Sequence, residues 1–181
     1  MERLSSLSEV LSKYDYFLVD IAGVIFKGEI LFEEGGRALT SLLKQYGPGH
    51  VSLLSNMPRS TETVLAKWHR FDLETRHLKV ITSGEYLMYE LDTNEALRDS
   101  KVYVVGEEYN EELSNHPLLN RVYAPEAATH LLMLANARKL EEKVRYDDIF
   151  SLVIKHGVKM ICPNPDALVV QDTGPIYPPG F

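Results

Sequence analysis

A chain of 181 residues, 45% hydrophobic and 25% charged, has enough apolar material for one good core and a smaller second lobe. The formal net charge of −7 and a pI of about 5.4, with no dense Lys/Arg run, exclude an electrostatic grip on nucleic acid or an anionic membrane. Cys162 is the sole cysteine, which excludes an internal disulfide and a thiolate metal cluster; without a secretory-type or membrane-length apolar run, the expectation is a cytoplasmic protein.

Leu4, Leu7 and Leu11 recur at helical spacing and predict a short opening helix. The apolar run Tyr16 to Val19 fits a buried parallel strand, with Asp20 at its end. Ala38, Leu39, Leu42, Leu43 and Tyr46 trace the buried face of a helix, which Gly47-Pro48-Gly49 stops, and the next strand is His50 to Leu54. Ser55 to Ser60 is a polar turn, with Ser60 the expected cap of a helix whose apolar positions are Val64, Leu65, Trp68 and Phe71. Leu78 to Thr82 is a third strand. Strands alternating with helices predict an α/β fold with a Rossmann-like parallel sheet and functional groups at the carboxyl ends of its strands, where Asp20 and Ser55 both fall.

From about Asp92 the texture changes. Val102 to Val105 and Thr129 to Leu134 read as strands, and Glu107 to Asn115 as an acidic helix or loop whose charges are solvated. Leu140, Val144, Ile149, Leu152 and Val153 outline a helix bent near Tyr146-Asp147-Asp148, and Val158 to Cys162 leads into Pro163-Asn164-Pro165-Asp166, a hinge-like return.

A carboxylate at a strand end followed by Gly23 is placed to attack phosphorus, because neighbouring backbone N–H groups can face the substrate oxygens; the alternative is a strand-end Asp that caps its own turn. Ser55 and Asn56 offer a hydroxyl and an amide to a phosphoryl oxygen, and Arg59 either joins them or is a solvated helix-start residue. Trp68 and Cys162 read as core residues.

The segments Asp20-Ile21-Ala22-Gly23-Val24-Ile25-Phe26-Lys27-Gly28, Ser55-Asn56-Met57-Pro58-Arg59, Ile81-Thr82-Ser83-Gly84-Glu85 and Asn164-Pro165-Asp166 together resemble the haloacid dehalogenase superfamily, and within it subclass IIA, which includes pyridoxal phosphate and phosphoglycolate phosphatases. The resemblance implies a core over residues 1–91, an inserted α/β cap lobe over 92–162 and a return to the core over 163–181, leaving the core incomplete at its C-terminus. It implies that Asp20 attacks a small phosphorylated metabolite to form an aspartyl phosphate. Mg2+ would be shared by the Asp20 carboxylate and the Ala22 carbonyl. Ser55 and Asn56 would hold the transferring group, with Arg59, Asn164 and Asp166 near the mouth where core meets cap.

Three departures accompany the resemblance. Ala22 stands where most of these phosphatases carry a second Asp as general acid and base, a role worth about 10²–10⁴-fold in rate. No Lys follows the return segment, and the tail lacks the family's late Gly-Asp pattern. A sheet without its last strands also leaves an apolar edge to be covered by a second copy or another partner. These departures keep open a second reading, a catalytically silent binding or interaction module.

Overall fold

The computed structural model describes residues 8–28, 30–68, 78–135, 146–166, 169–171 and 174–176. They fall into two compact units, residues 1–55 with 67–81 and residues 56–66 with 82–181.

In the first unit the order is α1 (Ser8–Leu11), β1 (Phe17–Asp20), a hairpin of β2 (Phe26–Lys27) and β3 (Ile30–Leu31), α2 (Glu33–Tyr46), β4 (Val51–Ser55) and β5 (Lys79–Thr82); α3 (Thr61–Trp68), between β4 and β5 in sequence, has residues 61–66 in the second unit. Strands β1, β4 and β5 form one sheet in the order β1-β4-β5. Strands β1 and β4 run parallel, Phe17 opposite Val51 through Asp20 opposite Leu54, so two of the expected site residues end adjacent strands. Helix α2 buries Gly36, Leu39 and Leu42, places Glu33 and Glu34 at its positive end and Lys44 at its negative end, and closes with the Gly47 amide on the Leu43 carbonyl at 2.9 Å. Trp68 stacks on Phe26 with ring centroids 4.9 Å apart, which supports its reading as core.

Strand β1 departs from expectation. Side chains alternate between the two faces of a strand, and here only one face is covered: Leu18 is 68% exposed, whereas Val51 and Leu53 of β4 are fully buried. The apolar run that predicted a buried strand is half exposed.

The second unit is built on a four-stranded parallel sheet in the order β7-β6-β8-β9, from β6 (Val102–Val105), β7 (Arg121–Val122), β8 (His130–Met133) and β9 (Lys159–Ile161). Alternate residues feed two cores. Val102, Val104, Leu132 and Leu134 pack with Leu87 of α4 (Ser83–Thr93) and Leu113 of α6 (Glu111–Ser114), while Val105, Leu131, Met133 and Ala135 pack with Val153 of α7 (Asp147–Lys155) and with Tyr146. A parallel sheet buried on both faces needs unbroken apolar runs, and Leu131-Leu132-Met133 is one. Burial of each large apolar side chain contributes about 1.5–3 kcal/mol. The short helix α5 (Glu95–Arg98) follows α4, and β10 (Val169–Gln171) pairs with β11 (Gly174–Ile176) as an antiparallel ribbon.

The acidic stretch resolves into a single 3-10 turn, Glu107–Tyr109, followed by α6. Leu4, Leu7, Phe71, Leu140 and Val144, assigned above to helices, lie outside the described residues. No helix among the described residues is long and apolar enough to cross a membrane.

Candidate active site

Asp20 ends β1 with an exposed side chain, and its Oδ1 accepts the Ile21 amide at 2.8 Å. The chain then folds tightly on itself. The amides of Val24, Ile25 and Phe26 converge on the Ile21 carbonyl at 3.3, 2.9 and 3.1 Å, and the Gly23 amide donates to the Phe26 carbonyl at 2.7 Å. Gly23 has φ +77°, a conformation that side chains with a Cβ adopt only with strain. This loop is therefore closed by its own backbone, immediately after the carboxylate it presents.

The bridge between residues 22 and 26 uses the carbonyl of Ile21 and the amide of Gly23, so the Ala22 carbonyl is not committed to it. An exposed carboxylate plus one carbonyl suits a magnesium ion, which is held by one or two carboxylates and retains water and substrate oxygens as its other ligands. Among the described residues there is no cluster of three or more His, Cys, Asp or Glu side chains that would suit a zinc-type site instead.

Ser55 ends β4 beside the Leu54 partner of Asp20, and the Ile21 amide also reaches the Leu54 carbonyl at 3.2 Å. Thus Asp20 and Ser55 sit at neighbouring strand ends, as the sequence implied.

In the second unit, Asn56 donates from Nδ2 to Asp166 Oδ2, and Asn164 Oδ1 accepts the Asp166 amide at 3.1 Å. Three expected site residues are thus joined in one hydrogen-bonded group. Cys162 is half-buried rather than fully so; its thiol donates to the Asn164 carbonyl at 3.2 Å, and burial pushes its pKa up.

Arg59 takes neither role foreseen for it without addition. Its guanidinium Nη2 donates to the Tyr109 carbonyl at 2.5 Å and the residue is half-buried, so it is not a solvated helix-start residue. Ser60 caps α3 as expected, its Oγ accepting the Thr63 amide at 3.2 Å.

The turn from Asn56 to Ser60 is gripped from outside. The Arg59 carbonyl accepts the Thr82 hydroxyl at 2.5 Å, the Pro58 carbonyl accepts Asn110 Nδ2, and the Ser60 amide donates to Glu112 Oε2 at 3.1 Å. Glu85 Oε2 accepts the Thr61 amide at 2.9 Å. Gly84 lies so close that a Cβ there would overlap the Arg59 backbone nitrogen, carbon and oxygen.

Sequence reasoning missed the part played by Asn110 and Glu112, and the assignment of the Glu107 to Glu112 charges to solvent is corrected in part. Glu112 is half-buried against Ser60, and Glu107 pairs with Arg121. Asn110 preceding Glu-Glu-Leu is a legible helix cap, and its Oδ1 does accept the Leu113 amide at 3.2 Å, but nothing local points to Pro58.

Comparison with known proteins places this geometry. The family described as haloacid dehalogenase-like hydrolase matches residues 17–116, more than half of the chain. Among solved structures, the chain resembles a haloacid dehalogenase-like hydrolase from Brucella suis 1330 (21% identity, TM-score 0.74, covering 96% of this chain and 62% of that one). It also resembles a p-nitrophenyl phosphatase from Archaeoglobus fulgidus (24% identity, TM-score 0.63, 91% and 60%) and a 4-nitrophenylphosphatase from Thermotoga maritima (16% identity, TM-score 0.65, 94% and 62%). The chain therefore spans less than two thirds of the length of each. No curated protein sequence matches it significantly. From the match over residues 17–116, which includes Asp20, Ser55 and the clamped turn, the chain belongs to the haloacid dehalogenase-like hydrolase family.

Proposed function

We propose that the chain carries the nucleophile and phosphate-binding elements of a magnesium-dependent phosphohydrolase of subclass IIA type, acting on a small phosphomonoester. The observation that carries this reading is the exposed Asp20 carboxylate at the carboxyl end of a parallel strand, with one oxygen held by the Ile21 amide and the Ser55 strand end alongside. The p-nitrophenyl phosphatase names of the structural neighbours agree with it.

In this reading Asp20 attacks phosphorus, the phosphorus–oxygen bond to the leaving group breaks, and the phosphoryl group rests on Asp20 until water releases it as phosphate. Ser55 and Asn56 donate hydrogen bonds to the phosphoryl oxygens, with Arg59, Asn164 and Asp166 at the mouth of the site. The Asp20 carboxylate and the Ala22 carbonyl would hold magnesium, which would supply positive charge opposite the phosphate in a protein whose net charge is −7. Ala22 cannot protonate a leaving group, so substrates with good leaving groups are favoured. Residues 92–162, which contain the four-stranded sheet, are read as the inserted cap lobe that selects the substrate.

The test is turnover with Mg2+ on a panel of small phosphomonoesters, comparing the chain with Asp20→Asn. Loss of about 10⁴-fold or more is expected, the scale seen when a covalent nucleophile is removed. Turnover unchanged by the substitution would sink the assignment.

A further inference from the structure

We infer that Asn110 and Glu112 are positioning residues for the turn that carries Asn56, an assignment whose catalytic consequence rests on the phosphohydrolase reading above. Every backbone polar group removed from water needs a partner. A turn between a strand and a helix has few partners of its own. In this one, successive backbone groups are satisfied by side chains distant in sequence: the Pro58 carbonyl by Asn110, the Arg59 carbonyl by Thr82, the Ser60 amide by Glu112 and the Thr61 amide by Glu85.

The Asn110 carboxamide suits this double task. It is 2% exposed, and its amide group works in two directions, Oδ1 accepting the Leu113 amide at the start of α6 while Nδ2 donates to Pro58. A helix cap alone needs only an acceptor, which Asp or Ser supplies equally well. The donor is the part directed at the turn. Glu112 lies two residues on and reaches Ser60 from the same helix start, with Thr63 Oγ1 3.4 Å from the same carboxylate oxygen. The Arg59 guanidinium completes the connection in the opposite sense, from the turn to the Tyr109 carbonyl. The segment 109–112 and the turn 57–60 therefore hold each other at both backbone carbonyls and amides. Displacing this segment would move the turn, and with it the amide of Asn56.

The experiment uses the full chain, labelled with nitrogen-15, and the variant Asn110→Asp. That variant keeps the acceptor for Leu113 and removes the donor to Pro58. Hydrogen exchange at the Arg59 and Ser60 amides is expected to accelerate about tenfold, the effect of losing one buried hydrogen bond, while Leu113 changes by less than about twofold. Inorganic phosphate, followed at the Ser55 and Asn56 amide resonances, is expected to bind about tenfold more weakly, since binding needs the amide held in place.

Glu112→Ala should give the same pattern at Ser60, and Glu112→Gln, which keeps an oxygen for that amide, should restore most of it. The Glu112 pair decides the matter if Asn110→Asp does not fold. Exchange at Arg59 and Ser60 that is unchanged in these variants, or that accelerates only in step with Leu113, overturns the proposal. Phosphate that leaves the resonances of the unsubstituted chain unmoved would instead sink the phosphohydrolase reading, with the exchange pattern still deciding the positioning role.

Discussion

The loop after Asp20 and the turn after Ser55 follow adjacent parallel strands, yet they are held in place by opposite means. The first is closed by contacts within a few residues: three amides on the Ile21 carbonyl, the Gly23 amide on Phe26, and the Ile21 amide on Asp20 itself. The second is held by side chains from 82–85 and 109–112, more than twenty residues away in each case. A locally closed loop tolerates changes to its exposed side chains. A remotely clamped turn is sensitive to residues that never touch a ligand.

The sharpest way to break this contrast is Ala22→Asp. Ala22 is exposed and the loop around it is closed by the peptide groups of its neighbours, so a carboxylate should be accepted there without unfolding. It would restore a general acid and base two residues after Asp20, and turnover of a phosphomonoester with a poor leaving group is expected to rise by about 10²–10⁴-fold. A gain limited to good leaving groups would point away from acid catalysis. Loss of folding would show that the loop depends on more than its backbone.

Gly84→Ala probes the other side of the comparison. A methyl group there overlaps the Arg59 backbone, which Thr82 fixes in place through the Arg59 carbonyl, so neither element can yield without breaking a hydrogen bond. Destabilisation of about 1–3 kcal/mol is expected, read by denaturant unfolding, together with faster exchange at the Ser60 amide. A cost below about 0.5 kcal/mol would mean that the turn moves freely and is not clamped.

The same division explains what could be read from the sequence. Periodicity placed α2 through Leu39 and Leu42, and the apolar runs placed β4, β6 and β8, because each is decided by burial of its own side chains. Asp20 and Ser55 were legible for the same reason: a strand end is where an apolar run meets a polar residue. Strand β1 misled because an apolar run records the capacity for burial on two faces, while Leu18 has only one covered side to its strand. Asn110 and Glu112 were invisible because polar residues in an acidic stretch look alike whether they face water or a backbone fifty residues away. Even Thr82-Ser83-Gly84-Glu85 was legible only as a pattern. Its spacing is that of a capping box, and Thr82 does accept the Glu85 amide at 2.9 Å, but the Glu85 side chain serves the first amide of α3.

Ser83 lies inside that pattern and supplies the smallest expected effect. Thr82, Gly84 and Glu85 each act on the turn, whereas the Ser83 hydroxyl is a buried oxygen with no hydrogen-bond partner among the described residues. Leaving a hydroxyl unsatisfied in the interior is unfavourable, so removing it should cost nothing and can stabilise. Ser83→Ala is accordingly expected to change stability by less than about 1 kcal/mol, with zero or a slight gain the central expectation, and to leave exchange at Ser60 unaltered. The contrast with Gly84→Ala, one residue along the same helix start, isolates the clamp from the helix: both substitutions add or leave a methyl group on α4, and only one of them meets the turn. A loss from Ser83→Ala as large as that from Gly84→Ala would assign the grip to the helix terminus as a whole and not to the four side chains and one close approach that single out the turn.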